Sequence, residues 1–200
     1  MSSKDELIST AISLFSEKGY EGTSVSEIME KSGVNVSMIS YYFGGKEGLL
    51  VAALKTLAHD KLVRANRFLH KFENQSEFKI RLELFLNELA LFFSEQATLI
   101  KLFLQQLEQG FDGAESEYNV AYSNVLKCLE RFLETGKKKG FVPKNKDARV
   151  TIIQLFGPLA ALVQMRNSTS RHLGVSIEDK EFREKLVKSL VASVIMNEGL

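Results

Sequence analysis

The sequence has no tryptophan, one cysteine (Cys128) and only two prolines, Pro143 and Pro158, among its 200 residues. A single cysteine excludes an internal disulfide and a thiolate metal cluster. Because proline interrupts helical hydrogen bonding, its scarcity leaves long segments free to form helices. The 26 Lys and Arg residues nearly balance the 25 Asp and Glu residues, so bulk charge does not indicate a nucleic-acid partner.

Long hydrophobic runs and catalytic motifs are missing too. The longest apolar stretches, such as 155–163, are too short to span a bilayer, and the N-terminus has no apolar signal core, so we expect a cytoplasmic protein. His59, His70 and His172 are scattered, and neither a phosphate loop nor a nucleophile elbow is present. We therefore expect no metal, no cofactor and no enzyme activity, although a carboxylate pair assembled from distant helices remains open.

What the chain does have is helical periodicity. Apolar residues recur at spacings of three and four, and no segment alternates with a period of two. We expect an all-α fold of about nine helices, with Ser3 and Glu6 forming a capping box at the first N-terminus. The predicted helices cover 4–18, 25–32, 36–43, 46–71, 77–95, 98–109, 114–138, 147–168 and 178–197.

Residues 25–43 have the pattern of a helix-turn-helix. Two short helices are joined by Gly33-Val34-Asn35, a turn that suits helices crossing at a steep angle. Gly33 is expected in a left-handed conformation, directly after the first helix. Ile28, Ile39 and Phe43 are expected to face the core, which turns the N-terminal residues of the second helix outward.

This geometry predicts two sets of DNA contacts. Val36, Ser37 and Met38 would reach base edges in the major groove, where apolar side chains can meet thymine methyl groups. Phosphate contacts need hydrogen-bond donors rather than net charge. The full predicted set, including the turn residue and the phosphate contacts, is Thr23, Ser24, Asn35, Val36, Ser37, Met38, Ser40, Tyr41, Tyr42 and Lys46.

The charge of this region counts against strong DNA binding. Residues 1–48 carry four lysines against seven acidic residues. Three of the seven acidic residues fall in the first helix, which can point away from DNA. We expect modest non-specific affinity and a shallow dependence of binding on salt.

The segment Thr23-Ser24-Val25, Gly33-Val34 and Tyr41-Tyr42-Phe43, followed by Lys46-Glu47, resembles the signature of the TetR family of bacterial transcription regulators. The resemblance implies a three-helix DNA-binding domain at 1–47 and a helical-bundle domain at 48–200 for ligand binding and dimerisation. It further implies a homodimer through the last two helices, a palindromic DNA operator, and repression relieved by a small molecule. Ser40 departs from the pattern, since the family usually has tyrosine there.

The later helices suggest an effector pocket. Aromatic residues lie on stripes expected to face inward, and few charges interrupt them, which favours an apolar or aromatic effector. For each residue, plain core packing or solvation is the alternative. The pocket candidates are Phe85, Phe92, Phe103, Gln106, Tyr122, Cys128 and Gln154.

The predicted last two helices also carry small and apolar residues suited to contact between two copies, with intramolecular packing as the alternative. The apolar residues are Val150, Ile153, Phe156, Leu159, Ala160 and Val163, then Leu186, Leu190 and Val194, and the small residues are Gly157, Ala160 and Ala161. A helix-turn-helix protein that acts only as an interaction module is a further alternative to a DNA-binding regulator.

Overall fold

The structure is a computed structural model that describes residues 2–109 and 117–195, without the side chains of 57–58, 60–62, 64–65, 103, 105–109 and 117–122. The described residues form ten helices and no strand, which confirms the all-α prediction. The helices are α1 (Ser3–Lys18), α2 (Val25–Ser32), α3 (Ser37–Phe43), α4 (Lys46–Asn66), α5 (Gln75–Glu95), α6 (Ala97–Gln109), α7 (Glu117–Lys138), α8 (Ala148–Gln164), α9 (Arg166–Leu173) and α10 (Lys180–Val194).

The helix predicted over 147–168 is in fact two helices. Helix α8 ends at Gln164, and the chain bends by 85° before α9. Neither glycine nor proline marks this bend, and Pro158 lies inside α8 without ending it. The apolar pattern gives the physical reason: the buried face of α8 ends at Val163, whereas α9 is polar and has no buried residue. Packing therefore does not favour a straight continuation.

The N-terminal cap lies one residue earlier than predicted. The Ser2 hydroxyl accepts a hydrogen bond from the Asp5 N–H at 3.2 Å, and the Asp5 carboxylate accepts one from the Ser2 N–H at 3.1 Å. This reciprocal pair is the capping box that had been expected at Ser3 and Glu6. Helix α4 also ends earlier than expected, at Asn66.

The described residues fall into two compact units, and the first comprises those within Met1–Asp60 and Gln96–Tyr118. Its core is built from one apolar stripe on each helix, and burying those stripes drives the packing. Helix α1 packs against α2, α3 and α6. The buried apolar residues of this core are Leu7, Ala11, Leu14, Phe15, Ile28, Ile39, Leu49, Leu50, Ala53, Leu54, Ala97, Leu99 and Ile100.

The second unit comprises the described residues within Lys61–Glu95 and Asn119–Leu200, and α5 is its central helix. Helix α5 packs against α8 and α10. At its N-terminal end the buried ring of Phe78 stacks on Phe132, with centroids 4.8 Å apart, and Phe72 meets both rings edge-on. Gly136 lies against Phe78, where a Cβ atom would come within 2.7 Å of the ring.

No single helix in the described ranges is both long and apolar enough to cross a membrane. The pair α8 and α9 meets the length and composition criteria only when counted together, and it is bent by 85°.

Candidate nucleic-acid interface

The turn between α2 and α3 has the predicted left-handed glycine. Gly33 has φ 68° and ψ 9°, and its N–H donates to the Met29 carbonyl at 2.9 Å. In the described part of the chain only glycines have a positive φ, as expected for residues without a Cβ atom. The turn directs α3 away from α2 instead of continuing the helix.

Helix α3 turns its apolar side inward and its N-terminal tip outward. Ile39 is 1 % exposed, whereas Val36 is 43 % exposed and Ser37 is exposed as well. Met38 and Phe43 are half-buried. The tip is therefore carried mainly by Val36 and Ser37, with Met38 turned partly toward the protein.

The first turn of α3 satisfies its own backbone donors. The Asn35 side-chain oxygen accepts from the Ser37 N–H at 2.9 Å, and the Met38 and Ile39 N–H groups donate to the carbonyls of Asn35 and Val36. Asn35 thus forms a side-chain turn just before α3, a role that the sequence prediction did not assign. Asparagine in a turn is a recognisable signal for it, because its side chain commonly bonds the backbone two residues on.

The first turn of α2 is open by comparison. The exposed Ser24 hydroxyl accepts from the Glu27 N–H at 3.1 Å, which leaves its own proton free to be donated. The N–H groups of Val25 and Ser26 make no hydrogen bond within the described residues. Unpaired N–H groups at a helix N-terminus favour an anion such as a phosphate.

The prediction that the Thr23 hydroxyl contacts DNA was wrong. Its side chain is 1 % exposed, and the hydroxyl lies 2.8 Å from the Gly19 carbonyl and 3.3 Å from the Leu14 carbonyl. A hydroxyl that donates to buried carbonyls cannot also reach a phosphate on the surface. Thr23 therefore ties the loop before α2 to the C-terminal end of α1.

The remaining predicted contacts lie on α3 and at the start of α4. Ser40 is exposed, and Tyr41 and Tyr42 are 78 % and 37 % exposed, with their rings edge-on at 5.1 Å. The Lys46 ammonium lies 4.1 Å from the centroid of the Tyr20 ring. This cation–π contact positions the lysine at the N-terminus of α4 without neutralising its charge.

An ion pair reduces the effect of the acidic balance. Lys18 at the end of α1 donates a hydrogen bond to the Glu27 carboxylate in the first turn of α2. This bond lowers the pKa of Glu27 and raises the pKa of Lys18. One of the carboxylates close to the open amides of α2 is therefore paired rather than free.

The predicted effector residues are not gathered into one site by the described residues. Phe85 is fully buried, with its ring 6.3 Å from that of Phe156, and Phe92 is 4 % exposed beside Phe93. Both positions are those of core residues. The side chains of Phe103, Gln106 and Tyr122 lie outside the described part of the structure.

Two other effector candidates lie away from the buried core. Cys128 is half-buried, and its sulfur accepts a hydrogen bond from Arg131 at 3.3 Å. Gln154 is exposed on α8, so the prediction that it faces inward was wrong. It shares its side of the helix with Ile153, whose side chain points outward. Among the described residues, no three His, Cys, Asp or Glu side chains gather as metal ligands.

The outer face of α8 carries apolar side chains that no described residue covers. Val150 and Ile153 are 52 % and 70 % exposed, and a Cβ atom built on Gly157 meets nothing within 4 Å. Ala161 continues the same exposed stripe one turn later. Other residues predicted for contact between two copies are buried within the chain, namely Leu159 and Val163 of α8 and Leu190 and Val194 of α10, and Leu186 is half-buried.

Three helices, with a glycine turn between the second and third and an exposed tip on α3, have the geometry of a helix-turn-helix, a motif by which proteins enter the major groove of DNA. Comparison with known proteins agrees. The family model described as bacterial regulatory proteins of the tetR family matches residues 7–53. Over this N-terminal segment the chain is therefore similar to the tetR family of regulatory proteins.

Two relatives illustrate how far the likeness extends. The chain is 54 % identical over 50 residues to the probable HTH-type transcriptional regulator YttP of Bacillus subtilis, a match covering 25 % of this chain and 24 % of that protein. It is 27 % identical over 195 residues to the HTH-type transcriptional repressor NicS of Pseudomonas putida, covering 89 % of this chain and 84 % of that protein. The high identity is thus concentrated in a short segment.

Solved structures share the fold over nearly the whole chain. A TetR/AcrR-family regulator from Thermobifida fusca superposes with a TM-score of 0.72 at 22 % identity, covering 94 % of this chain and 96 % of that one. The regulator FadR from Bacillus subtilis, solved in complex with stearoyl-CoA, has a TM-score of 0.68 at 20 % identity, covering 95 % and 98 %. At these identities the likeness concerns the fold.

Proposed function

We propose that the chain is a homodimeric repressor that binds a palindromic DNA operator and is released by a small apolar or aromatic effector. In this proposal residues 1–47 are the DNA-binding domain and residues 48–200 bind the effector and form the dimer. The observation that carries the DNA-binding part is the exposed tip of α3, where Val36 is 43 % exposed although Ile39, three residues later, is buried in the core. Uncovered apolar residues at such a position favour a binding surface.

Phosphate contacts would hold the tip in register. The open amides of Val25 and Ser26 and the free proton of Ser24 form one donor set, and Lys46 with the tyrosine hydroxyls of α3 forms another. Such contacts position a protein on the duplex without reading sequence. With Lys46 as the main cation, binding should weaken only gently as salt rises.

The deciding experiment is selection of binding sites from random duplex DNA by the purified full chain. A palindromic consensus is expected, with half-site centres about one helical turn, or a multiple of it, apart. Ser24→Ala should weaken binding to all sequences alike, whereas Ser13→Ala, at an exposed serine on α1, should leave it unchanged. If selection enriches no sequence, the DNA-binding proposal is wrong.

Dimerisation is supported by the outer face of α8. Val150, Ile153, Gly157 and Ala161 form an exposed stripe of apolar and small residues, which suits close approach of a second helix around a twofold axis. Sedimentation at micromolar concentration should give a dimer. Ile153→Glu should shift the protein toward monomer, and Ile80→Glu, on the 53 % exposed Ile80 of α5, is the matched control. A wild-type monomer would contradict this part.

The effector part is supported by the scarcity of charge on the inward stripes and by the stearoyl-CoA complex of FadR, which has the same fold. A thermal-shift screen with aromatic compounds and long-chain acyl compounds should find ligands that raise the melting temperature and release the selected duplex. If no compound in a broad apolar set does either, the effector is of a different chemical class.

A further inference from the structure

The tip of α3 contains a hydrogen-bond arrangement that restricts what it can read. The residues concerned are Asn35, Val36 and Ser37, and all three side chains are exposed. From Asn35 to the end of α3 at Phe43 the sequence contains no arginine, lysine or glutamine. The common two-bond contact of arginine or lysine to guanine is therefore unavailable to this helix.

Two hydrogen bonds fix the orientation of the Asn35 amide. The Ser37 backbone N–H lies 2.9 Å from Oδ1 of Asn35. A backbone N–H can only donate, so the atom facing it must be the carbonyl oxygen and not the amide nitrogen. The usual ambiguity between the two ends of an asparagine amide is removed by this contact.

The Ser37 hydroxyl approaches the same oxygen, with Oγ 2.9 Å from Oδ1. Because an amide carbonyl can only accept, the hydroxyl must be the donor in this bond. Its one proton is then used inside the protein, and the exposed side of Oγ presents lone pairs only. Oδ1 of Asn35 already accepts two bonds, so Asn35 cannot form the two-bond pair with adenine that needs this oxygen.

In the major groove, adenine N6 and cytosine N4 are donors, whereas guanine O6 and N7 and thymine O4 are acceptors. We infer that Ser37 reads the exocyclic amino group of an adenine or a cytosine in each half-site, as an acceptor whose polarity is set by Asn35. Val36 next to it contacts the methyl group of a neighbouring thymine. This inference rests on the proposed DNA-binding function and specifies the chemistry of that same surface.

The test uses the duplex selected by the wild-type protein and replaces one base at a time with an analogue. Adenine is replaced by purine, which lacks the N6 amino group, and cytosine by 2-pyrimidinone, which lacks the N4 amino group. Guanine is replaced by 2-aminopurine, which lacks O6, and thymine by uracil, which lacks the methyl group. At one position per half-site, loss of an amino group should weaken wild-type binding by about tenfold, the size of one hydrogen bond to a base.

Ser37→Ala should be insensitive to that amino group while keeping its response to uracil, and Val36→Ala should show the reverse. Asn35→Ala frees the hydroxyl proton, so Ser37 can also donate, and discrimination against the inverted base pair at that position should fall. The purine and 2-pyrimidinone arms distinguish adenine from cytosine as the base read.

The outcomes separate the inference from the function on which it rests. If selection yields a palindrome but the Ser37-dependent loss occurs with 2-aminopurine, or no analogue gives one, the assignment of Ser37 as an acceptor is overturned and DNA binding stands. If selection yields no consensus, the proposed function itself fails.

Discussion

Two helical glycines, Gly136 in α7 and Gly157 in α8, should respond differently to alanine. In an exposed helix interior, glycine costs up to about 1 kcal/mol relative to alanine. Apart from its chain neighbours, a Cβ atom on Gly157 meets nothing within 4 Å. The next residue is Pro158, whose ring disfavours a helical conformation for a preceding alanine and so offsets the gain in propensity. Gly157→Ala should therefore change the free energy of unfolding by less than about 0.5 kcal/mol. The same gain in propensity applies at Gly136, but there it is opposed by packing.

At Gly136 the added Cβ atom would lie 2.7 Å from Cε2 of Phe78 and 3.1 Å from a methyl carbon of Val142. The Phe78 ring is fully buried and stacked on Phe132, so it has little room to move. Overpacking of this kind costs about 1–3 kcal/mol. Because the ring is confined, the cost should lie in the upper half of that range. Gly136→Ala should then lower the free energy of unfolding by about 1–2 kcal/mol after the gain in propensity of about 1 kcal/mol.

Urea denaturation followed by circular dichroism measures both variants against the wild type. Since Gly157 lies on the face proposed to meet a second copy, the comparison is made at a concentration where sedimentation shows one species for all three proteins. The expected difference between the two variants is about 1–2 kcal/mol, most of it from the loss at Gly136. If Gly136→Ala is as stable as Gly157→Ala, the packing of Phe78 against α7 is not as described.

Three further changes test the headpiece and the start of α8. Gly33→Val should destabilise the helix-turn-helix by about 1–2 kcal/mol, because φ is 68° there, and Gly33→Asn should be better tolerated; equal melting temperatures for the two would refute the strain argument. Thr23→Val should cost about 1 kcal/mol in thermal or urea unfolding, since it removes a buried donor, while leaving the selected DNA consensus unchanged; a changed consensus would restore Thr23 as a contact. The N–H groups of Val150 and Arg149 donate to the Asp147 carboxylate at the start of α8 and hold its pKa below its ordinary value of 3.8. The stabilisation from this cap is therefore present above pH 3.8 and is lost as the pH falls through the lowered pKa. Asp147→Asn should flatten this part of the acid unfolding curve, and an unchanged curve would count against the cap.

The local signals in the sequence determined the class of the protein. The spacing of apolar residues predicted an all-helical chain, and Gly33 between two short apolar stripes predicted the turn and the outward tip of α3. These features depend on near neighbours in the chain: a left-handed backbone favours glycine, and a stripe every three or four residues favours a helix. Such signals survive without any knowledge of distant contacts.

The tertiary structure decided which side chains are available to a partner. Thr23 looked like a surface hydroxyl, but it is buried because two carbonyls near the end of α1 lie within reach of it. Gln154 was expected to face inward, but apolar residues lie on two sides of α8. Gln154 lies beside the exposed Ile153, on the side that faces outward. The polarity of Ser37 depends on a single oxygen of Asn35. Burial and hydrogen-bond partners follow from how helices pack, and residue type alone does not specify that packing.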